Sequence, residues 1–167
     1  TSCYVANNKN EGLRISASSA NMTNLLIGKN QFINNGLAGG SSNISGISIS
    51  GSGANRITES EFSNNVIKDN RGAGIIGTLF DRCNFVNNII VDNYRNGIES
   101  TGTITESSIH KNIIRNNDVG ASSGNGNGIV LTSATSGIMI INNIIRDHTD
   151  NGVSVAGTTN SIIIEGN

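Results

Sequence analysis

Two short phrases alternate along the chain, one led by glycine and the other by asparagine. The glycine-led phrase continues with an aliphatic residue, and its copies begin at Gly12, Gly46, Gly74, Gly97, Gly128 and Gly152. The asparagine-led phrase reads Asn-x-apolar-x-Asn/Asp, and its copies begin at Asn30, Asn65, Asn88, Asn112 and Asn143, with a sixth opening at Asn167. Their spacing predicts a repeating unit of about 23 residues, enlarged in places by insertions. So short a unit cannot bury an apolar face alone, and we expect neighbouring units to stack.

Within each unit the apolar residues alternate with polar ones, which is typical of β-strands with one buried face. The alternation predicts three short strands that close a three-sided coil around a narrow core. The residues expected to point inward are Ile47, Ile49, Ile129 and Leu131 after the glycines; Phe62, Cys83, Phe85, Ile109, Ile138 and Ile140 before the asparagines; and Phe32, Ile67, Ile90, Ile114 and Ile145 after them.

Asparagine recurs at two fixed positions of the unit, so stacking would arrange it in two columns. The first column is Asn30, Asn65, Asn88, Asn112, Asn143 and Asn167, and the second is Asn35, Asn70, Asn93, Asn117 and finally His148. At a coil spacing of about 4.8 Å, each side-chain amide can hydrogen-bond to the next one in its column. We interpret both columns as structural ladders.

This pattern resembles the pectin-lyase-like, right-handed parallel β-helix superfamily, which includes phage tailspikes and polysaccharide lyases and hydrolases. The resemblance covers essentially the whole chain. It implies an all-β fold, a right-handed single-stranded parallel β-helix of about six coils, forming one domain over residues 1–167. Since both ends would be open sheet edges, we also expect flanking sequence or a partner chain.

The resemblance implies a polysaccharide as partner and a carbohydrate-binding, polysaccharide-degrading segment of a tailspike-like or secreted surface protein. Such a protein would be extracellular or associated with a virion. The superfamily also contains adhesins without enzymatic activity, so a structural shaft or adhesin is the alternative.

Charge and hydropathy exclude other classes of partner. The chain has 11 Lys and Arg against 12 Asp and Glu, so its near-zero net charge does not favour binding to nucleic acid. No stretch approaches the roughly 20 apolar residues of a membrane span. The two cysteines lack the partners and spacing of a metal site, and we expect neither metal nor cofactor.

Two insertions, at residues 36–45 and 118–127, precede glycine-led strands and bracket a trough about three coils long. Its predicted floor consists of Ser48, Ser50, Ile76, Thr78, Glu99, Thr101 and Val130. In the superfamily carbohydrate usually binds beside this strand, so the resemblance places the site here.

Three acidic residues near this trough are the catalytic candidates. Asp69 and Asp92 occupy the same position on adjacent coils, and Glu99 follows shortly after Asp92. Glycoside hydrolysis needs two carboxyl groups about 5 Å apart for retention, or roughly 6.5 to 9.5 Å apart for inversion. However, Asn34 and Asn116 share the column of the two aspartates, which a turn that requires Asn or Asp would also explain.

Three further residues at the rim of the trough are the candidates for substrate binding. Arg71 or Arg95 could supply the cation that a lyase needs for the carboxylate of its substrate. Tyr94, beside Arg95 in the sequence, could stack on a sugar face or simply pack on the rod.

One outward column is aliphatic. Its members are Val66, Ile89, Ile113 and Ile144. An exposed apolar stripe on a rod is expected to be covered, either by a neighbouring rod in a homotrimer or by a further segment of the chain.

Overall fold

A computed structural model describes residues 2–37, 44–118, 126–133 and 135–167 of the chain. In these residues the chain forms 22 short strands, and every strand pair is parallel. Over the same ranges there is no helix with the length and hydropathy needed to cross a membrane.

The strands stack into three sheets, A, B and C, one for each side of the coil. Sheet A contains β1 (Tyr4–Ala6), β5 (Gln31–Ile33), β9 (Val66–Lys68), β13 (Ile89–Val91), β17 (Ile113–Arg115) and β20 (Ile144–Arg146). Sheet B contains the glycine-led strands β2 (Leu13–Ala17), β6 (Ile47–Gly51), β10 (Ile75–Gly77), β14 (Ile98–Ser100), β18 (Ile129–Leu131) and β21 (Val153–Val155).

In its first four coils, sheet C contains two short strands per coil, which we call its first leg and its second leg. In the later coils one long strand replaces the two. The first leg contains β3 (Met22–Thr23), β7 (Ile57–Thr58), β11 (Phe80–Asp81) and β15 (Ile104–Thr105). The second contains β4 (Leu26–Gly28), β8 (Glu61–Ser63), β12 (Asn84–Val86) and β16 (Ser108–His110). The long strand β19 (Thr135–Ile141) pairs with both legs, and β22 (Thr159–Glu165) pairs with β19.

The vertical register places like residues directly over one another. In sheet A, Ile67 pairs with Phe32 on one side and Ile90 on the other, and Ile114 and Ile145 continue the column. The predicted inward residues are buried, apart from Ile145, which is partly buried against the core. This confirms the predicted three-sided coil, because a slip of one residue would have turned each strand inside out.

Three phenylalanines fill the middle of the core. The rings of Phe62 and Phe85 stack on successive coils with centroids 5.0 Å apart, and Phe80 meets Phe85 edge-on at 5.2 Å. Their burial removes large apolar areas from water, and we expect these coils to be the most stable part of the rod.

Both predicted asparagine ladders are present. In ladder I, the Nδ2 of Asn65, Asn88, Asn112 and Asn143 donates to the Oδ1 of the asparagine on the next coil at 2.8–3.0 Å. In ladder II, Asn35, Asn70 and Asn93 do the same, and Asn8 extends the ladder by one coil. Apart from Asn8, each of these amides also donates to a backbone carbonyl, as Asn88 does to Phe62, so buried polar groups are satisfied at the corner.

A third ladder, which the sequence reasoning missed, runs in the opposite direction. Asn127 donates back to the Oδ1 of Asn96 at 3.1 Å, and Asn151 donates back to Asn127 at 3.0 Å. All three residues immediately precede a glycine of the glycine-led phrase, and this shared position in the sequence could have predicted the third ladder.

The glycine of that phrase is required by close packing. A Cβ on Gly46 would lie 2.6 Å from the Cγ2 of Ile67 and 2.8 Å from the Nδ2 of Asn70. The backbone therefore approaches the neighbouring coil too closely for any side chain, and the same holds at Gly12, Gly74, Gly97 and Gly128. Gly152 differs, because a Cβ there would meet only the Cγ2 of Ile145, at 3.5 Å.

Candidate functional site

The chain turns from sheet A to sheet B at a corner that every coil repeats. The turn residue has a positive φ in Asn34 (53°), Asp69 (56°), Asp92 (57°), Asn116 (49°) and Asp147 (61°). Asparagine and aspartate adopt this left-handed conformation more readily than other residues with a side chain. The turn conformation that would explain the Asn and Asp residues of this column is present at all five positions.

The structure brings Asp69 and Asp92 together around one cation. The Nζ of Lys68 lies 3.4 Å from the Oδ2 of Asp69 and 3.8 Å from the Oδ2 of Asp92. The Nδ2 of Asn116 donates to the Oδ1 of Asp92 at 2.6 Å. Both carboxylates thus take part in a surface network that links adjacent coils of the rod.

Glu99 does not lie on an open floor. Its side chain is only 8% exposed, and its Oε2 accepts a hydrogen bond from the Nδ2 of Asn96 at 3.0 Å. Val130 on the next coil is also 8% exposed. Among the described residues, no hydrogen bond or ion pair joins Glu99 to Asp69 or Asp92. The expectation of an exposed trough is therefore wrong at Glu99 and Val130.

Two of the three predicted binding residues contact each other. The guanidinium of Arg71 lies 5.4 Å from the ring centroid of Tyr94, which is on the next coil and 40% exposed. Arg95, the sequence neighbour of Tyr94, is partly buried. One face of the Tyr94 ring is thus covered by a cation, and a ligand would approach the other face or the ring edge.

The tips of the two insertions, residues 38–43 and 119–125, lie outside the described residues. The base of the second insertion is tied to the following coil. Thr149 donates to the Oδ2 of Asp118 at 2.5 Å, and the backbone N–H of Gly126 donates to the Oδ2 of Asp150 at 3.1 Å.

The open part of the predicted trough is a depression of about 220 Å³ on the outer face of sheet B. Its lining includes Ser48, Ser50, Ile76, Thr78 and Thr101 from the predicted floor, together with Glu11 and Arg14. Glu11 and Arg14 were not among the residues predicted to line the trough. For Arg14 the signal was its place in the outward column, because it pairs with Ser48, which in turn pairs with Ile76.

Comparison with known proteins identifies the architecture. A family model described as "Right handed beta helix region" matches residues 40–167. The chain belongs to this family. A search of solved structures matches the A-module of a mannuronan C-5 epimerase from Azotobacter vinelandii, with 13% identity and a TM-score of 0.48. The match covers 96% of this chain and 53% of that chain, so this right-handed β-helix spans about half of that module. No curated protein matches the chain.

The depression combines hydroxyls, one carboxylate and one guanidinium over an aliphatic patch. In the part of the chain that the structure describes, no three His, Cys, Asp or Glu side chains are grouped so that they could hold a metal ion.

Proposed function

We propose that this β-helix binds a polysaccharide along the outer face of sheet B, within a protein exposed outside the cell or on a virion. The depression on that face supports the proposal. Hydroxyls from adjacent coils line it with two charged groups, and the side chain of Ile76 forms an apolar patch on its floor. Sites of this kind suit sugars, which present hydroxyl edges and an apolar C–H face.

Affinity electrophoresis through gels that contain dissolved polysaccharides tests this proposal. We expect one class of polysaccharide to retard the protein. Ser48→Tyr fills the depression and should abolish the retardation, because Ser48 points outward from sheet B. Asn160→Tyr is the matched control, since Asn160 is exposed on β22 of sheet C, on a different side of the coil. Equal retardation of both variants and the wild type would place binding elsewhere.

Polysaccharide cleavage is the finer proposal, with Asp69, Asp92 and Glu99 as the catalytic candidates and Arg71, Tyr94 and Arg95 as substrate-binding residues. The proximity of the two aspartates across Lys68 supports it. Incubation with the retarding polysaccharide should release oligosaccharides, and an Asp69→Asn, Asp92→Asn, Glu99→Gln triple variant should release none. Unchanged release by the triple variant would exclude these residues as the catalytic set.

A non-catalytic shaft or adhesin is the second candidate, and one observation favours it. Each of the three acidic side chains already has an internal partner, namely Lys68 for the aspartates and Asn96 for Glu99. Binding without product release by the wild-type protein would establish this alternative.

We further propose that the aliphatic column of sheet A mediates a homotrimer. Ile89 is 40% and Ile144 is 53% exposed, while Val66 and Ile113 are partly exposed in the same column. An Ile89→Lys, Ile144→Lys double variant should sediment as a monomer at concentrations where the wild type is trimeric. A monomeric wild type would exclude the trimer.

A further inference from the structure

Two opposite charges stand at one end of the depression on sheet B. Glu11 precedes the first glycine-led strand, and Arg14 points outward from that strand. Within the described residues Glu11 and Arg14 form no ion pair with each other or with a third group. Both charges therefore face the depression with their hydrogen-bonding capacity unused.

The hydroxyls of the depression divide into occupied and available groups. Ser50 donates to the carbonyl of Ile15 at 3.4 Å, and the Oγ1 of Thr78 accepts from the backbone N–H of Gly51 at 3.0 Å. By contrast, the hydroxyls of Ser48 and Thr101 make no internal hydrogen bond among the described residues. The groups free to meet a ligand are thus two hydroxyls, one carboxylate and one guanidinium.

The geometry points to a neutral sugar residue as the ligand of this depression, an inference that rests on the proposed polysaccharide binding. A carboxylate accepts hydrogen bonds from two neighbouring hydroxyls of a sugar, and a guanidinium donates to its oxygens. Ile76 offers an apolar surface to the C–H face. Because Glu11 and Arg14 carry opposite charges, the depression has no net charge that would offset the cost of desolvating the carboxylate of an acidic sugar, and repulsion by Glu11 opposes the attraction by Arg14.

The size of the depression restricts the ligand further. Its volume of about 220 Å³ lies below the roughly 300–1,000 Å³ typical of pockets that enclose drug-sized ligands. We infer that it accommodates one sugar unit, with the rest of the polysaccharide lying along the rod on either side. Glu11 and Arg14 would then decide which unit of the polymer occupies the depression.

Isothermal titration calorimetry with a panel of neutral and uronate-containing oligosaccharides tests the inference. The deciding observation is whether Glu11→Gln weakens or strengthens binding. If the ligand is neutral, Glu11→Gln and Arg14→Gln should each weaken binding by about tenfold, because a charge-assisted hydrogen bond becomes a neutral one. If the ligand is acidic, Glu11→Gln should strengthen binding and Arg14→Gln should weaken it. Glu106→Gln, at an exposed turn between the two legs of sheet C, is the matched control.

The outcomes separate this inference from the proposed function. We expect the wild type to prefer neutral oligosaccharides and both variants to bind them more weakly, with circular dichroism unchanged. A preference for uronates, or stronger binding by Glu11→Gln, would overturn the inference and leave polysaccharide binding intact. Neutral binding that neither substitution alters would also overturn it. No binding by the wild type to any member of the panel would overturn both.

Discussion

The side-chain hydrogen bonds of ladder I run from Asn65 to Asn167 and those of ladder II from Asn8 to Asn117, whereas among the described residues the third ladder joins Asn96, Asn127 and Asn151. Its direction is also reversed, since its amides donate to the preceding coil. The third ladder begins at Asn96. The corresponding residue on the preceding coil is Ala73, which offers no side-chain acceptor, so the amide of Asn96 donates to Glu99 instead. An amide at the end of a column thus donates to the nearest available acceptor. The buried side chain of Glu99 is the acceptor that Asn96 uses.

Among the substitutions that test the difference between the ladders, Asn88→Ala in the middle of ladder I should lower the free energy of unfolding most. It leaves the backbone N–H and one N–H of the Nδ2 of Asn65 without an acceptor. The carbonyl of Phe62 and the Oδ1 of Asn112 each lose one donor, although the Oδ1 of Asn112 still accepts from the backbone N–H of residue 88. Buried unpaired polar groups cost about 1–3 kcal/mol each, so we expect the free energy of unfolding in urea to fall by about 3 kcal/mol or more.

Asn127→Ala is the matched change in the middle of the third ladder. Asn127 donates its side-chain amide only to Asn96 among the described residues, and it accepts from Asn151 at an exposed end of the rod. Its loss should therefore lower the free energy of unfolding by roughly half as much as Asn88→Ala. Equal losses would show that ladder length and direction are irrelevant to stability.

A smaller, pH-dependent effect is expected at His148, which ends ladder II. Its Nε2 lies 3.2 Å from the carbonyl of Ile114, in the place of an asparagine Nδ2, and its Nδ1 is buried without a partner among the described residues. Burial lowers the pKa of His148 below its ordinary value, although the carbonyls of Ile114 and Asn117 and the charge of Asp147 oppose this shift.

The sign of the pH effect follows from linkage. Because the pKa is lower in the folded state, the unfolded chain binds more protons, and stability falls as the pH drops below about 6.5 towards the folded-state pKa. His148→Asn should remove this part of the decline in the urea midpoint between pH 8 and pH 5. An unchanged decline in the His148→Asn variant would contradict the assignment.

The smallest effect is expected from Glu99→Gln, which keeps an acceptor for Asn96. The free energy of unfolding should change by less than about 0.5 kcal/mol, whereas Glu99→Ala should lower it by about 1–2 kcal/mol by leaving the Nδ2 of Asn96 unpaired. Thermal and urea denaturation check both values. Equal losses for the two variants would show that the hydrogen bond to Asn96 contributes nothing, and that the carboxylate charge itself is required.

Much of the fold could be predicted because it depends on two short-range rules. Alternation with period two identified inward residues such as Ile67 and Phe85, and vertical repetition aligned Asn65 with Asn88 and Asn112. The candidate site was harder to predict, because its contacts join side chains that follow no repeat. Lys68 lies between two aspartates, and Arg71 lies over Tyr94. These contacts link successive coils, and they depend on how far each side chain reaches.

The sequence by itself determined the coil, its inward columns and two of its ladders, since these follow from a period that is readable along the chain. Only the tertiary structure decided which outward residues are open to a ligand. Glu99 and Val130 are covered although they share an outward column with Ser48 and Ile76, and Glu11 and Arg14 line the depression. Exposure depends on what neighbouring coils and insertions place above a residue, and a one-dimensional repeat carries no such information.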